Sequence, residues 1–375
     1  MGVSLVAGVL CSVPGSALHA QTADQTNIIE TNIVIVSDGS NVTNTSPGYT
    51  GEASAVRGLV QFGIVSVAST SLLSPTGGAQ EASDREQSLA NGLQVGVSHA
   101  TVIAQGGVTS SEASVADVSF TSCSGFWGAG VTSIAADFVM SETTTACTTN
   151  GATFSGKSQV NGLVVDGQPV AVSGHANQVV FLSGGGFMVI NEQVTVETST
   201  TVDGLTISAE GTAVNALHVI VPCAGADLVF GSSAAGIACG NETNAIDTTQ
   251  FCGDFVTGCG WITTPTGTNA NFGVAGGTKD GAFWGHLNCI DHGNGMHVKD
   301  TSVTGYAIDE DCRTIDYNVT IDGQPGSARV RVCDKGEPGS NDIFEIQLSN
   351  GHFTNSDLGG SLPGGGNIQL HECHE

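Results

Sequence analysis

Leu163-Val164-Val165-Asp166-Gly167-Gln168-Pro169 and Val319-Thr320-Ile321-Asp322-Gly323-Gln324-Pro325 share one form: an apolar run, an Asp-Gly pair and a polar restart. A two-residue hairpin turn asks for positive φ at its central residues, and Asp-Gly meets that demand with little strain. Each stretch therefore predicts a β-hairpin, one in each half of the chain. Outward from them, short apolar runs recur at Val60–Val67, Leu93–Val97, Val179–Leu182, Phe187–Ile190 and Ala216–Val221, with Gly184-Gly185-Gly186 and Asp203-Gly204 as further turn signals. Aromatics make up only 5% of the chain, while Val, Thr, Ser, Ala and Gly dominate, which is a strand-and-turn alphabet. One short helix is predicted over Ala82–Leu89, where Glu81, Asp84 and Glu86 crowd a first turn. The expected fold is all-β: an N-terminal β-sandwich-like domain followed by a smaller disulfide-braced β domain.

The 375 residues suit two domains. Residues 1–20 read as a signal peptide, with a short apolar core running into Pro14, Ala17 and Ala20. No Lys or Arg precedes Arg57, so the basic start of such a signal would lie upstream. Residues 21–50 form a polar arm around one β-strand, Ile28–Val36. In that strand Ile28, Ile29, Ile33, Val34, Ile35 and Val36 could also serve as a donor strand that completes a neighbour's sheet. Residues 51–242 form the larger β domain, a composition shift near Asn241–Gln250 marks the boundary, and residues 250–375 form the smaller one. A formal charge of −26 repels nucleic acid and anionic lipid. The segment after residue 20 holds no run of about 20 apolar residues, so no membrane insertion is expected of the mature chain.

Ten cysteines follow the leader: Cys123, Cys147, Cys223 and Cys239 in the first half, and Cys252, Cys259, Cys289, Cys312, Cys333 and Cys373 in the second. Two even sets suggest two separately cross-linked domains in an oxidising compartment. Short loops close most readily, which favours Cys123–Cys147 and Cys223–Cys239. In the second half Cys252–Cys259 and Cys312–Cys333 are expected, leaving Cys289–Cys373.

Several motifs carry a resemblance. Trp284-Gly285-His286-Leu287-Asn288, Ile290-Asp291-His292-Gly293, Gly295-Met296-His297-Val298-Lys299, Arg329-Val330-Arg331-Val332-Cys333-Asp334-Lys335-Gly336 and Gly364-Gly365-Gly366-Asn367-Ile368-Gln369-Leu370-His371 resemble the domain that commonly follows the choice-of-anchor P domain in bacterial surface proteins. The first half, through Gly51-Glu52-Ala53, Val189-Ile190-Asn191-Glu192-Gln193, Val214-Asn215-Ala216-Leu217-His218-Val219 and Ala238-Cys239-Gly240, resembles the choice-of-anchor P domain itself. The resemblance implies a bacterial, exported protein that stays on the cell surface or is released. It implies no catalytic residues.

The residues themselves offer few sites. Asn294-Gly295, read as a two-residue turn, would set His292 opposite His297, a pair that could contribute to a transition-metal site. That pair supports one alternative function, a metal-dependent hydrolase. Asp309-Glu310-Asp311, with Asp300 and Asp334 nearby, is a possible calcium cluster, though it lacks a spaced cation loop. Otherwise no metal, cofactor or catalytic residue is expected. The expected function is that of a secreted, non-catalytic structural or interaction protein of the bacterial surface or extracellular matrix. Its partners would be other surface proteins, glycans or copies of itself. A second alternative is a filament subunit polymerising through Ile28–Val36.

Overall fold

A computed structural model describes residues 48–372, apart from 62, 86, 90–91, 123–131, 184, 203–204, 240–252, 338 and 359–364. The leader, the Ile28–Val36 strand, the boundary at Asn241–Gln250 and Cys123, Cys252 and Cys373 lie outside the described residues. The all-β expectation holds, built as three antiparallel sheets. The outer sheet sets Gln178–Phe181 (β12), Phe187–Val202 (β13), Leu205–Val221 (β14), Ala226–Cys239 (β15), Gly48–Val60 (β1) and Gly63–Ser69 (β2) side by side. The middle sheet contains Gly78–Asp84 (β3), Gln87–Leu89 (β4), Leu93–Val95 (β5), Ser98–Gln105 (β6), Val108–Ser122 (β7), Thr132–Thr148 (β8), Gly151–Asn161 (β9), Val164–Val165 (β10) and Gln168–Pro169 (β11). The C-terminal sheet runs from Phe353–Asp357 (β23) through Ile343–Leu348 (β22), Gln324–Cys333 (β21), Cys312–Ile321 (β20), Met296–Asp309 (β19), Ala282–Asp291 (β18), Asn269–Lys279 (β17) and Phe255–Thr263 (β16) to Gly366–His371 (β24).

Both Asp-Gly pairs form the predicted turns. Val165 pairs with Gln168 and Ile321 with Gln324, with φ of 50° at Asp166 and at Asp322. Two expectations about runs fail. Ala82–Leu89 is not a helix: Glu81 and Asp84 belong to β3, which pairs with β6, and Gln87–Leu89 pairs with β5. Its acidic residues are placed by strand alternation, and Glu81 is turned toward an imidazole of another sheet. Val60–Val67 is broken by a turn, because Val60 pairs back onto Gly63. The arm drawn at residues 21–50 also ends too late, since β1 begins at Gly48 and lies inside the outer sheet between β15 and β2.

The middle sheet is covered on both faces, which explains why all eight residues of β6, Ser98-His99-Ala100-Thr101-Val102-Ile103-Ala104-Gln105, are buried. On one face, Val56, Met188, Leu217 and Phe230 of the outer sheet meet Val115, Phe120 and Ile134 in a shared apolar core. Farther along, small Ala53, Ala100 and Ala113 let the two sheets approach closely. There Thr109 and Thr145 donate hydroxyl hydrogen bonds to the carbonyls of Gly236 and Ala235 at 3.1 Å. Polar strands can be buried in this way because each hydroxyl meets an acceptor on the facing sheet. The C-terminal sheet curls around its own core. Phe272 on β17 stacks on Phe344 on β22 with centroids 3.9 Å apart, across four intervening strands.

One disulfide follows this layering rather than loop length. Cys147, at the end of β8, bonds Cys239, at the end of β15, and so ties the middle sheet to the outer one. The expected Cys123–Cys147 and Cys223–Cys239 bonds therefore do not form. Packing brings together two strand ends that are 92 residues apart, with Cα atoms 5.7 Å from each other. Cys312–Cys333 forms as expected, between residues directly opposite on β20 and β21. Cys259 and Cys289 are buried free thiols, which removes the expected Cys252–Cys259 and Cys289–Cys373 bonds. The reason is alternation: Cys289 points into the C-terminal core and Cys259 into the opposite layer. Burial pushes the Cys289 thiol up to about 12, so it is neither a nucleophile nor readily oxidised at neutral pH.

One ionic group of the outer sheet has a measurable signature. His218 lies between Glu192, 2.9 Å from Nδ1, and Asp227, 2.8 Å from Nε2. Burial favours the neutral ring, but the contacts with Asp227 and Glu192 prevail and raise its pKa from 6.5 to about 9. The folded-state value lies above the unfolded one, so this stabilisation is complete below the unfolded value and disappears as pH rises through about 9. Thermal melts between neutral pH and pH about 10 should lose on the order of 2–3 kcal/mol from this source. In His218→Gln that component of the slope should vanish.

Candidate functional site

The second covered face of the middle sheet meets the C-terminal sheet through polar side chains. Antiparallel register lines up Glu81 on β3, Thr101 on β6, Glu112 on β7, Glu142 on β8 and Lys157 on β9 in one row across five strands. Facing it, Asn367 on β24, Cys259 on β16, Gly273 on β17 and Asn288 on β18 form a second row, with His286 two residues before Asn288. His99 stands two residues from Thr101 on the same strand and therefore on the same face. The strands supply these groups by period-two alternation, and their other faces serve the apolar cores.

A chain of close contacts crosses the junction. Glu81 Oε2 lies 2.6 Å from His286 Nδ1, His286 Nε2 lies 2.7 Å from His99 Nδ1, and His99 Nε2 lies 3.4 Å from Glu112 Oε1. The Cys259 thiol donates to the same Glu112 oxygen at 3.0 Å. The two carboxylate contacts are off the N–H directions, so His99 Nε2 and His286 Nδ1 make ion-pair contacts without formed hydrogen bonds. Satisfying every contact along the chain would take three protons, and two neutral imidazoles carry two.

The partners pull against each other. Burial pushes His286 toward the neutral form, while Glu81 pulls it back. Burial would raise Glu81, yet the His286 contact and charge hold it down at about 2. Glu112 is also held low: burial opposes its charge, and His99 outweighs burial. Glu142 behaves differently, since burial dominates and pushes its carboxyl up to about 7 despite Lys157 at 3.1 Å.

Gly273 makes the His99 placement possible. A Cβ at that position would stand 2.9 Å from His99 Cβ, closer than side-chain carbons approach. Gly273→Ala is expected to destabilise the protein by about 1–3 kcal/mol, read as a lower denaturant midpoint.

Beside this chain, a cleft of about 530 Å³ opens between β9 and β24, each an edge strand among the described residues. Glu142, Lys157, Gln159, Glu337 and Asn367 line it, with Met140 and Val160 among its apolar members. Lys157 contacts both Glu142 and Glu337, and Asn367 Nδ2 donates to Glu337 Oε1 at 3.2 Å.

The residues singled out from sequence sit elsewhere. His292 and His297 are not opposite each other, because Asp291 pairs with Met296 and Ile290 with His297, leaving the four-residue loop His292–Gly295. The Asp291 and Asn294 side chains set that loop by accepting the backbone N–H groups of Gly293 and Met296, each at 2.8 Å. His292 Nε2 faces Asn271 Oδ1 at 2.5 Å and Asp117 Oδ2 at 3.1 Å. In the acidic cluster, Asp309 pairs with Arg331, Asp311 with Lys335, and Asp300 and Asp334 accept backbone N–H groups. Among the described residues one trio gathers metal-ligating atoms, Asp311, Cys312 and Cys333, and both sulfurs are committed to the disulfide. His99, Glu112, Glu142 and Lys157 escaped notice in the sequence. The available signal was a lone charge inside a small-residue strand, such as Glu112 within Ser110-Ser111-Glu112-Ala113-Ser114.

No protein family and no curated protein sequence matches this chain. Among solved structures, kievitone hydratase from Nectria haematococca aligns at 9% identity and a TM-score of 0.17, covering 92% of this chain and 94% of that one. Intact Ap-TbpB, with N and C lobes, aligns at 11% identity and a TM-score of 0.16, covering 87% and 77%. At such scores neither likeness bears on fold or activity.

Proposed function

We propose that this chain is an exported, non-catalytic structural or interaction protein of a bacterial cell surface or extracellular matrix, as its resemblance to choice-of-anchor P proteins implies. The observation that carries this reading is the pair of disulfides, Cys147–Cys239 and Cys312–Cys333, each bridging strands of the described sheets. Such bonds form and persist in oxidising compartments. Its partners would be other surface proteins, glycans or copies of itself, and a charge of −26 keeps it soluble in that setting. Alkylation of native, unreduced protein recovered from the culture medium tests this. Cys147, Cys239, Cys312 and Cys333 should resist labelling, and their recovery as free thiols from a cytoplasmic pool would end the reading.

A filament built by donor-strand addition is the second reading. The observation favouring it is that both edges of the outer sheet expose apolar side chains, Ile64 on β2 at 86% and Phe181 on β12 at 82%. Edges with no partner strand among the described residues can accept an added strand. The donor would be Ile28–Val36 of a second copy. Electron microscopy should show regular fibres that vanish when 28–36 is deleted, and a monodisperse monomer at high concentration would sink the idea.

A further inference from the structure

We infer that Lys157 and Asn367 join spontaneously as an Nζ–Cγ amide, an isopeptide cross-link between the middle and C-terminal sheets, with Glu142 moving the protons. Lys157 on β9 stands directly across from Glu142 on β8. Asn367 descends on the same carboxyl from β24 of the other sheet. Glu142 Oε2 is 3.1 Å from Lys157 Nζ and 3.3 Å from Asn367 Nδ2, so amine and carboxamide meet at one buried oxygen. This is the arrangement a transamidation needs: nucleophile, electrophile and acid–base group held together by rigid strands.

The step balances without any added reagent. The Lys157 ammonium gives a proton to Glu142, and the neutral amine attacks Asn367 Cγ. The new Nζ–Cγ bond forms and the Cγ–Nδ2 bond breaks as Glu142 returns its proton to the departing nitrogen and then takes up the second proton that the attacking nitrogen sheds, so that Glu142 ends protonated. Amine and carboxamide become a secondary amide and ammonia. The leaving nitrogen is already held for protonation, since it donates to Glu142 and, at 3.2 Å, to Glu337 Oε1. Ammonia escapes through the cleft that Lys157, Glu337 and Asn367 line, which makes the bond permanent.

The electrostatics suit a carboxyl that must both take and give a proton. Burial raises Glu142 to about 7, close to the pH at which it would work. Glu142 and Glu337 hold Lys157 in its charged form and raise its pKa against the pull of burial, so the neutral amine is the minor form and the reaction is correspondingly slow. A single turnover per molecule tolerates that slowness.

The cross-link would bind two sheets that no described disulfide joins, because Cys147–Cys239 ties outer to middle and Cys312–Cys333 lies within the C-terminal sheet. It does not depend on where the protein resides, and so stands or falls separately from the exported role. Mass spectrometry of the folded, reduced chain tests it. The intact mass should fall short of the sequence by one ammonia, and digestion should yield a branched peptide joining Lys157 to Asn367. Lys157→Arg keeps the charge and Glu142→Gln keeps the shape; both should lack the branch and migrate more slowly on denaturing gels. An unshifted mass, with the Lys157 and Asn367 peptides recovered separately from wild-type protein, overturns the cross-link. A branch that persists in Glu142→Gln overturns the part assigned to Glu142.

Discussion

Arg313→Met is expected to destabilise the protein by about 3–5 kcal/mol, the loss typical of breaking a buried ion pair from one side. The Arg313 side chain is 0% exposed. Nε and Nη2 donate to the two Asp254 oxygens, each at 2.6 Å, and Nη1 donates to the carbonyls of Glu310 and Cys312 at 2.8 and 2.9 Å. Nη2 also reaches the Glu372 carboxylate, so all five guanidinium hydrogens have acceptors. This one side chain ties the start of β16, the turn between β19 and β20 and the end of β24 to one another. Methionine fills the volume yet, among the described residues, leaves the Asp254 carboxylate with the Tyr306 hydroxyl alone. Urea denaturation should show the loss, and Asp254→Asn in the Arg313→Met background should recover part of it. Equal stability in Arg313→Met and wild type would show that solvent or another cation replaces the guanidinium without loss.

Cys147→Ser/Cys239→Ser should cost about 2–5 kcal/mol, an effect of the same rank. The bond closes a loop of 92 residues, so its removal restores considerable freedom to the unfolded chain. It also pins the end of β8 to the end of β15, where Tyr49, Leu73, Val102 and Ile237 form a small separate core. A core of that size holds two sheets together weakly without the bond. Denaturant midpoints should therefore fall in the double variant, and reductant should shift wild type toward it. If the double variant melts with wild type, the staple is redundant with the shared apolar core.

Strand and turn were legible in the residues. Asp166-Gly167 and Asp322-Gly323 announced their hairpins because a turn of two residues depends on the φ preferences of those two residues. The long strands β7 and β8 were much harder to see. They are rich in Ser, Thr, Ala and Glu, and only an environment covered on both faces makes such strands buried ones. The Ala82–Leu89 helix was predicted for a related reason: its acidic residues resemble a first helical turn until Glu81 is seen beside His286. Likewise His292 and His297 are neighbours in sequence, and the Asx turns of Asp291 and Asn294 separated them.

Local backbone preference was thus enough to establish an all-β chain and its Asp-Gly hairpins, while the short-loop expectation for the disulfides held at Cys312–Cys333 and failed at Cys147 and Cys239. Stacking of three sheets was needed to choose Cys239 as the partner of Cys147, to leave Cys259 and Cys289 unpaired, and to bring Lys157, Glu142 and Asn367 to one point. The physical reason is distance along the chain. A hairpin contact is set by the few residues that make it, whereas a contact between sheets depends on which faces are apolar enough to pack, and so on every strand at once.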